Sequence, residues 1–145
     1  MANFIFIHGT GGSPDECFYP WLRQRLEEDG HRIYAPQLPM PENQSLKTWL
    51  EAFEPYWKFV DENTAFIGRS IGPAFILRLL ERTEVKVKAA FLVAGFCTDA
   101  GMPSQFQPLI GTFVSSPFNW EKIKSSCGKF FVYSSDNDPY VPLEK

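Results

Sequence analysis

Five residues, Gly68-Arg69-Ser70-Ile71-Gly72, stand between a short apolar run at 64–68 and a second apolar stretch at 73–80. A run that short without polar alternation reads as a strand buried on both faces of a parallel sheet, and Pro73 suits the first turn of a helix. The chain must therefore pass from strand to helix within a few residues. A glycine on either side of the central serine leaves room for a backbone that a Cβ would obstruct. In that setting the spacing G-x-S-x-G lifts a serine hydroxyl above the edge of the sheet. The plainer alternative is a glycine-rich turn in which Ser70 only caps the helix.

The rest of the chain repeats the same alternation. Phe4-Ile5-Phe6-Ile7 predicts a first strand over 3–7, ended by His8-Gly9-Thr10-Gly11-Gly12. Ser13-Pro14-Asp15-Glu16 has the form of a capping box and predicts that the first helix starts there and runs toward Gly30. A second strand is expected at 32–35, then a loop at 36–43 with three prolines. Leu46, Trp49, Leu50, Phe53 and Trp57 fall at helical spacing from Ser45 onward, with Pro55 set to kink or end that helix. A fully apolar fourth strand at 88–94, a short helix at 120–126 and a fifth strand at 129–134 follow. Between them, 95–119 is long enough to be functional or to carry small helices of its own. The expectation is one α/β domain over 1–145: a doubly wound parallel sheet of about five strands in the order 2-1-3-4-5, in three α/β/α layers. Its site belongs at the carboxyl ends of the strands.

Composition narrows the partners. With 44% hydrophobic and 16% aromatic residues the chain can build a core, which excludes a disordered or collagen-like polypeptide. A net charge of −3 with scattered lysines and arginines supplies no basic stripe for nucleic acid. No apolar run approaches the roughly 18 residues of a membrane span. The apolar first eight residues lack the basic flank and length of an export signal. Cys17, Cys97 and Cys127 are widely spaced, with no CxxC pair for zinc or redox chemistry, so a reducing cytoplasm is expected. No metal or cofactor is implied.

A serine alone is a poor nucleophile and needs a general base oriented by a carboxylate. Ser134-Ser135-Asp136-Asn137-Asp138-Pro139-Tyr140-Val141-Pro142 leaves the fifth strand at the same edge of the sheet as Ser70. Asp138 is favoured over Asp136 as that carboxylate. Residues of these types also form turns without any function, and the local sequence leaves that reading open.

His8-Gly9-Thr10-Gly11-Gly12, Gly68-Arg69-Ser70-Ile71-Gly72 and Asp138-Pro139-Tyr140-Val141-Pro142 together resemble the small α/β-hydrolases of the retinoblastoma-binding-protein-nine type, over nearly the whole chain. The resemblance implies a serine hydrolase acting on a small ester, thioester or amide. Ser70 would be the nucleophile and Asp138 the acid, with the backbone N–H groups of Thr10 and Ile71 as the oxyanion hole. In that family the base is a histidine that follows the acid, after one more strand. Nothing follows Lys145 here, so the expectation is that the C-terminal strand and helix, and the base with them, are absent and turnover is low.

Other residues are weighed in the same way. His31 lies at the wrong edge of the sheet for a base, and His8 is expected to shape the oxyanion loop instead. Arg69 stands where the family often has a histidine; a structural ion pair is favoured over a bond to a substrate carboxylate. Phe96, Phe106, Phe113 and Phe118 could form an apolar lid, with Met40 and Trp49 on the opposite wall, but ordinary packing is the favoured reading. Two alternatives to catalysis remain. One is a non-catalytic binding protein or fragment, pairing as a homodimer through an exposed fifth-strand edge at Phe130, Phe131 and Val132. The other is a flavodoxin-like phosphate binder using Gly9 to Gly12 at the start of the first helix.

Overall fold

The apolar runs become neighbouring strands because each can bury side chains on both faces. The computed structural model describes residues 1–145 apart from 41, 142, 144 and 145. Strands β1 (Asn3–Ile7), β2 (Arg32–Tyr34), β3 (Thr64–Arg69), β4 (Val87–Val93) and β5 (Cys127–Tyr133) form one parallel sheet in the order β2-β1-β3-β4-β5. That is the expected doubly wound arrangement. The order reverses between β1 and β3, which opens a crevice at their carboxyl ends. Ile7 stands opposite Gly68 in register, so the loop after β1 leaves beside the turn after β3.

Side-chain alternation divides the core in two. Ile5, Ile7 and Phe66 face a large cluster containing α2 (Leu46–Phe53), α3 (Ile71–Leu80), α4 (Gln107–Val114) and α5 (Trp120–Ser125). Phe4, Phe6, Ile67 and Phe91 face the other way, against Leu22 and Leu26 of α1 (Tyr19–Glu28). Trp49 of α2 is fully buried, with its ring edge-on to Phe75 and Phe113, and its indole N–H donates to the Pro39 carbonyl at 2.8 Å.

Several boundaries differ from expectation for local reasons. The first helix starts at Tyr19 rather than after Ser13, because Cys17 takes φ 57° and interrupts any helical path through 13–18. The Ser13 hydroxyl accepts the Asp15 N–H in a tight turn instead of capping a helix, and Pro20 occupies the first turn of α1. The helix N-terminus that a phosphate cradle at Gly9 to Gly12 requires is therefore not there. Ser45 does cap α2, in a reciprocal box with Thr48, and the segment with Pro55 continues as a 3₁₀ helix, Glu54–Phe59. The long segment 95–119 holds a 3₁₀ turn, Ser104–Phe106, and α4. Phe113 and Trp49 pack into the core and so line no lid or wall; Phe96 packs there too but also lines a cleft beside β5, and Phe118 lies over Arg78. Of the loop expected at 36–43 and of the Asp138 motif, Pro41 and Pro142 lie outside the described residues.

Arg78, which the sequence pattern did not single out, holds the α4–α5 region in place. Only 2% exposed, it donates to the carbonyls of Phe113, Ser116 and Pro117 and pairs with Glu81 at 3.1 Å. β5 contrasts with the other strands: every residue after Cys127 is exposed, Val132 by 68%. A cleft of about 350 Å³ lies beside it, lined by Pro73, Phe96, Trp120, Phe130 and Val132. Among the described residues no helix is long and apolar enough to cross a membrane.

Replacing Arg78 by Ala would leave three carbonyls without their charged donor and the half-buried Glu81 carboxylate with only the Asn119 N–H and Arg82. The expected cost is about 3–5 kcal/mol, the range for breaking a buried ion pair from one side, read as a lower urea midpoint at unchanged slope.

Candidate active site

Ser70 occupies the turn between β3 and α3 with φ 62° and ψ −112°, a conformation that side-chain-bearing residues rarely adopt. Its N–H donates to the Val93 carbonyl at 3.0 Å, and its hydroxyl caps no helical N–H. The plain capping role is thus not the one the structure displays. The flanking glycines are needed sterically. A Cβ on Gly68 would stand 2.7 Å from Ile76 Cδ1 and 2.9 Å from the Gly72 carbonyl carbon, and one on Gly72 would stand 2.6 Å from the Ile7 carbonyl oxygen. The first turn of α3 can rest against β1 only with hydrogen at these positions.

The loop after β1 is held by His8. This ring is 1% exposed, accepts the Leu38 N–H at Nε2 (2.9 Å), and lies 2.9 Å from the Gly9 carbonyl at Nδ1. Accepting at Nε2 places the proton on Nδ1, so both nitrogens are engaged. Burial lowers the His8 pKa, with the Arg69 charge adding in the same direction. The Gly9 carbonyl also accepts the Gly12 N–H at 3.1 Å, closing the turn that carries Thr10. Gly9 itself is pressed against the serine: a Cβ there would lie 3.1 Å from Ser70 Cβ.

The structure thus brings Ser70, Ile71 and the Thr10 loop together. Among the described residues the N–H groups of Thr10 and Ile71 have no acceptor. Gln44, buried and unflagged by any sequence signal, donates from Nε2 to the Thr10 hydroxyl (2.9 Å) and to the Leu109 carbonyl (2.8 Å). It ties the loop to α4.

Asp138 follows β5 on the same edge of the sheet, two strands from Ser70. Its Oδ1 accepts the N–H groups of Tyr140 and Val141 at 2.9 and 3.0 Å, an Asx turn that leaves Oδ2 available. Asp138 is half-buried and Asp136 exposed, and neither bonds to Ser70 among the described residues. His31 sits at the opposite edge, accepting the Ala2 N–H at 3.0 Å. The favoured ion-pair role of Arg69 is corrected: among the described residues no carboxylate lies within 4.0 Å of it. No cluster of His, Cys, Asp and Glu able to hold a metal occurs among the described residues.

A family model described as serine hydrolase matches residues 4–145. The chain belongs to the serine hydrolase family. It is 30% identical over 146 residues to YdeN of Bacillus subtilis (strain 168), covering 99% of this chain and 75% of that one. It is 30% identical over 144 residues to the serine hydrolase RBBP9 of Rattus norvegicus, covering 97% and 74%. The crystal structure of the B. subtilis ydeN gene product matches with a TM-score of 0.90 at 30% identity, over 99% of this chain and 76% of that chain. Est1E from Butyrivibrio proteoclasticus, solved with ferulic acid bound, matches with a TM-score of 0.72 at 18% identity, over 99% and 72%, and shares the fold.

For this member of the family two outcomes are expected. Gly72→Ala destabilises by about 1–3 kcal/mol through its clash with the Ile7 carbonyl. Gly111→Ala, in α4 with nothing within 4 Å of its Cβ position, stabilises by about 0.5–1 kcal/mol. Chemical denaturation measures both.

The His8 expectation concerns pH. Its pKa is lowered in the folded state, so the unfolded chain binds the extra proton. The stability that neutral His8 supports is present above the unfolded value of about 6.5 and is lost as pH falls below it, by up to about 1.4 kcal/mol per pH unit. Melting curves from pH 7.5 to 5 should show this loss, and His8→Gln should flatten it.

Proposed function

We propose that this chain is built for acyl transfer from a small ester, thioester or amide, with Ser70 as the nucleophile. The observation that carries the reading is the strained positive-φ serine between two glycines that admit no side chain. In this reading Ser70 Oγ adds to the substrate carbonyl carbon and the carbonyl oxygen gains the negative charge. The N–H groups of Ile71 and Thr10, which lack acceptors among the described residues, donate to that oxyanion. Gln44 and His8 act through the loop, by fixing where the Thr10 N–H points. The proton lost from Ser70 Oγ passes to an added base or solvent and from there to the alcohol, thiol or amine expelled as the tetrahedral adduct collapses. Water then adds to the acyl-serine, releasing the acid and returning a proton to Oγ.

The proposal assigns the base to neither histidine. His8 has both ring nitrogens engaged, and His31 lies at the amino edge of the sheet. Asp138 Oδ2 is the acceptor available to orient an imidazole at the carboxyl edge. An added base should therefore speed the reaction of Ser70, since removing the histidine of a serine protease costs about 2 × 10⁶ in kcat while the oxyanion donors and binding still act.

Chemical rescue tests this. Incubation with p-nitrophenyl acetate should acetylate Ser70, and added imidazole should speed the reaction, as followed by p-nitrophenolate release and peptide mass. Ser70→Ala should abolish the adduct and leave p-nitrophenolate release at the rate of imidazole without protein. Equal acetylation of the Ser70→Ala chain would exclude Ser70 as nucleophile.

A further inference from the structure

Arg69 is the half-buried arginine whose charge nothing answers. Arg23, Arg25, Arg78 and Arg82 each pair with a carboxylate, and Arg32 is exposed; Arg69 has neither an ion pair nor a hydrogen-bond partner among the described residues. Its Nε is buried with no acceptor. A donor atom of a charged group shut off from water without a partner is costly, and the cost is relieved when an acceptor arrives.

The guanidinium also lies close to the nucleophile. Arg69 Nη2 is 3.3 Å and Ser70 Cβ 3.1 Å from the same point, the position a Gly9 Cβ would take, so the two groups are no farther apart than those distances together. Hydrogen at Gly9 keeps the space between them open. Of the acids that follow the β1 loop, Glu16 places Oε1 2.7 Å from the Gly12 Cβ position, and Asp15 pairs with Arg23 at 3.2 Å.

We propose that Arg69 binds a carboxylate carried by the acyl group itself, so that the preferred substrates are half-esters or half-thioesters of short dicarboxylic acids. The planar fork of an arginine matches a carboxylate with two parallel bonds. The upper bound on the separation of Arg69 Nη2 from Ser70 Cβ calls for a short acyl chain, and one with about two to three methylene groups between carboxylate and reacting carbonyl reaches both groups. This substrate class rests on the reading of Ser70 as nucleophile, but the anion site can be tested separately.

Glutarate binding to the intact chain is measured first, by calorimetric titration and by the rise in melting temperature, with inorganic phosphate as the comparison anion. Arg69→Gln should weaken glutarate binding by about tenfold or more, and Arg69→Lys should restore part of it. The imidazole-assisted acylation rate is then compared for mono-p-nitrophenyl glutarate and p-nitrophenyl butyrate. The preference for the anionic ester should fall by about tenfold or more in Arg69→Gln. Glutarate binding that survives Arg69→Gln, or an ester preference that variant leaves unchanged, overturns the proposal. Phosphate binding as tightly as glutarate overturns the carboxylate assignment. Absence of acylation by both esters in the unmodified chain refutes the nucleophile and with it this substrate class, whereas failure of glutarate to bind the intact chain while acylation proceeds refutes the Arg69 site and leaves Ser70 standing.

Discussion

Everything at the carboxyl edge of the sheet depends on how closely the first turn of α3 approaches β1. That contact leaves no space for a Cβ at Gly72, whose position faces the Ile7 carbonyl at 2.6 Å, and it pulls the intervening serine into positive φ. Because Ile7 and Gly68 are paired in register, the same contact seats the Gly9 turn on Ser70. The strain at Ser70 persists because packing on both sides over-determines it: Ile76 fills the space behind Gly68, and Pro73 fills the space in front of Gly95. A relaxed turn would need α3 to lift from the sheet, exposing the buried Phe75, Ile76 and Leu79.

What could be read from the chain was what local periodicity and steric need encode. Short apolar runs mark the buried strands and two glycines mark the turn, so sheet order and the position of Ser70 follow from patterns only a few residues long. The first helix was misplaced because Ser13 to Glu16 has the side chains of a capping box, while the backbone at Cys17 turns out of the helical region. Side-chain identity cannot signal that. Gln44 and Arg78 were invisible for another reason: each bonds to carbonyls far away in sequence, and any residue can offer a carbonyl. The ion pair expected of Arg69 failed similarly, since no local pattern says where Glu16 and Asp15 will point.

The loop after β1 shows how a polar residue can be structural and still govern a site. His8 is buried between the Trp49 ring, edge-on at 5.4 Å, and the Leu38 N–H, and burial keeps it neutral by lowering its pKa. A neutral ring that donates at one nitrogen and accepts at the other clamps two loops at once. Gln44 does the same on the far side of Thr10, between the loop and α4. The Thr10 loop is therefore held by contacts on both sides of it, the kind of support that the proposed oxyanion donor requires.

The charges around Ser70 pull in two directions, and their balance decides what this site can do. The N-terminus of α3 contributes roughly half a positive charge at the serine, and Arg69 adds a full one next door with no carboxylate within 4.0 Å among the described residues. Such a field favours a developing oxyanion, and an anionic acyl group still more. The same field opposes an imidazolium, although at His8 the charge of Glu16 offsets that of Arg69 and it is burial that lowers the pKa. A base working here needs a counter-charge of its own, which the proposed reading assigns to Asp138, whose Oδ2 accepts no hydrogen bond among the described residues. A substrate carboxylate on Arg69 would cancel the opposing charge as well, so that binding the proposed acyl group and stabilising the base become the same electrostatic event.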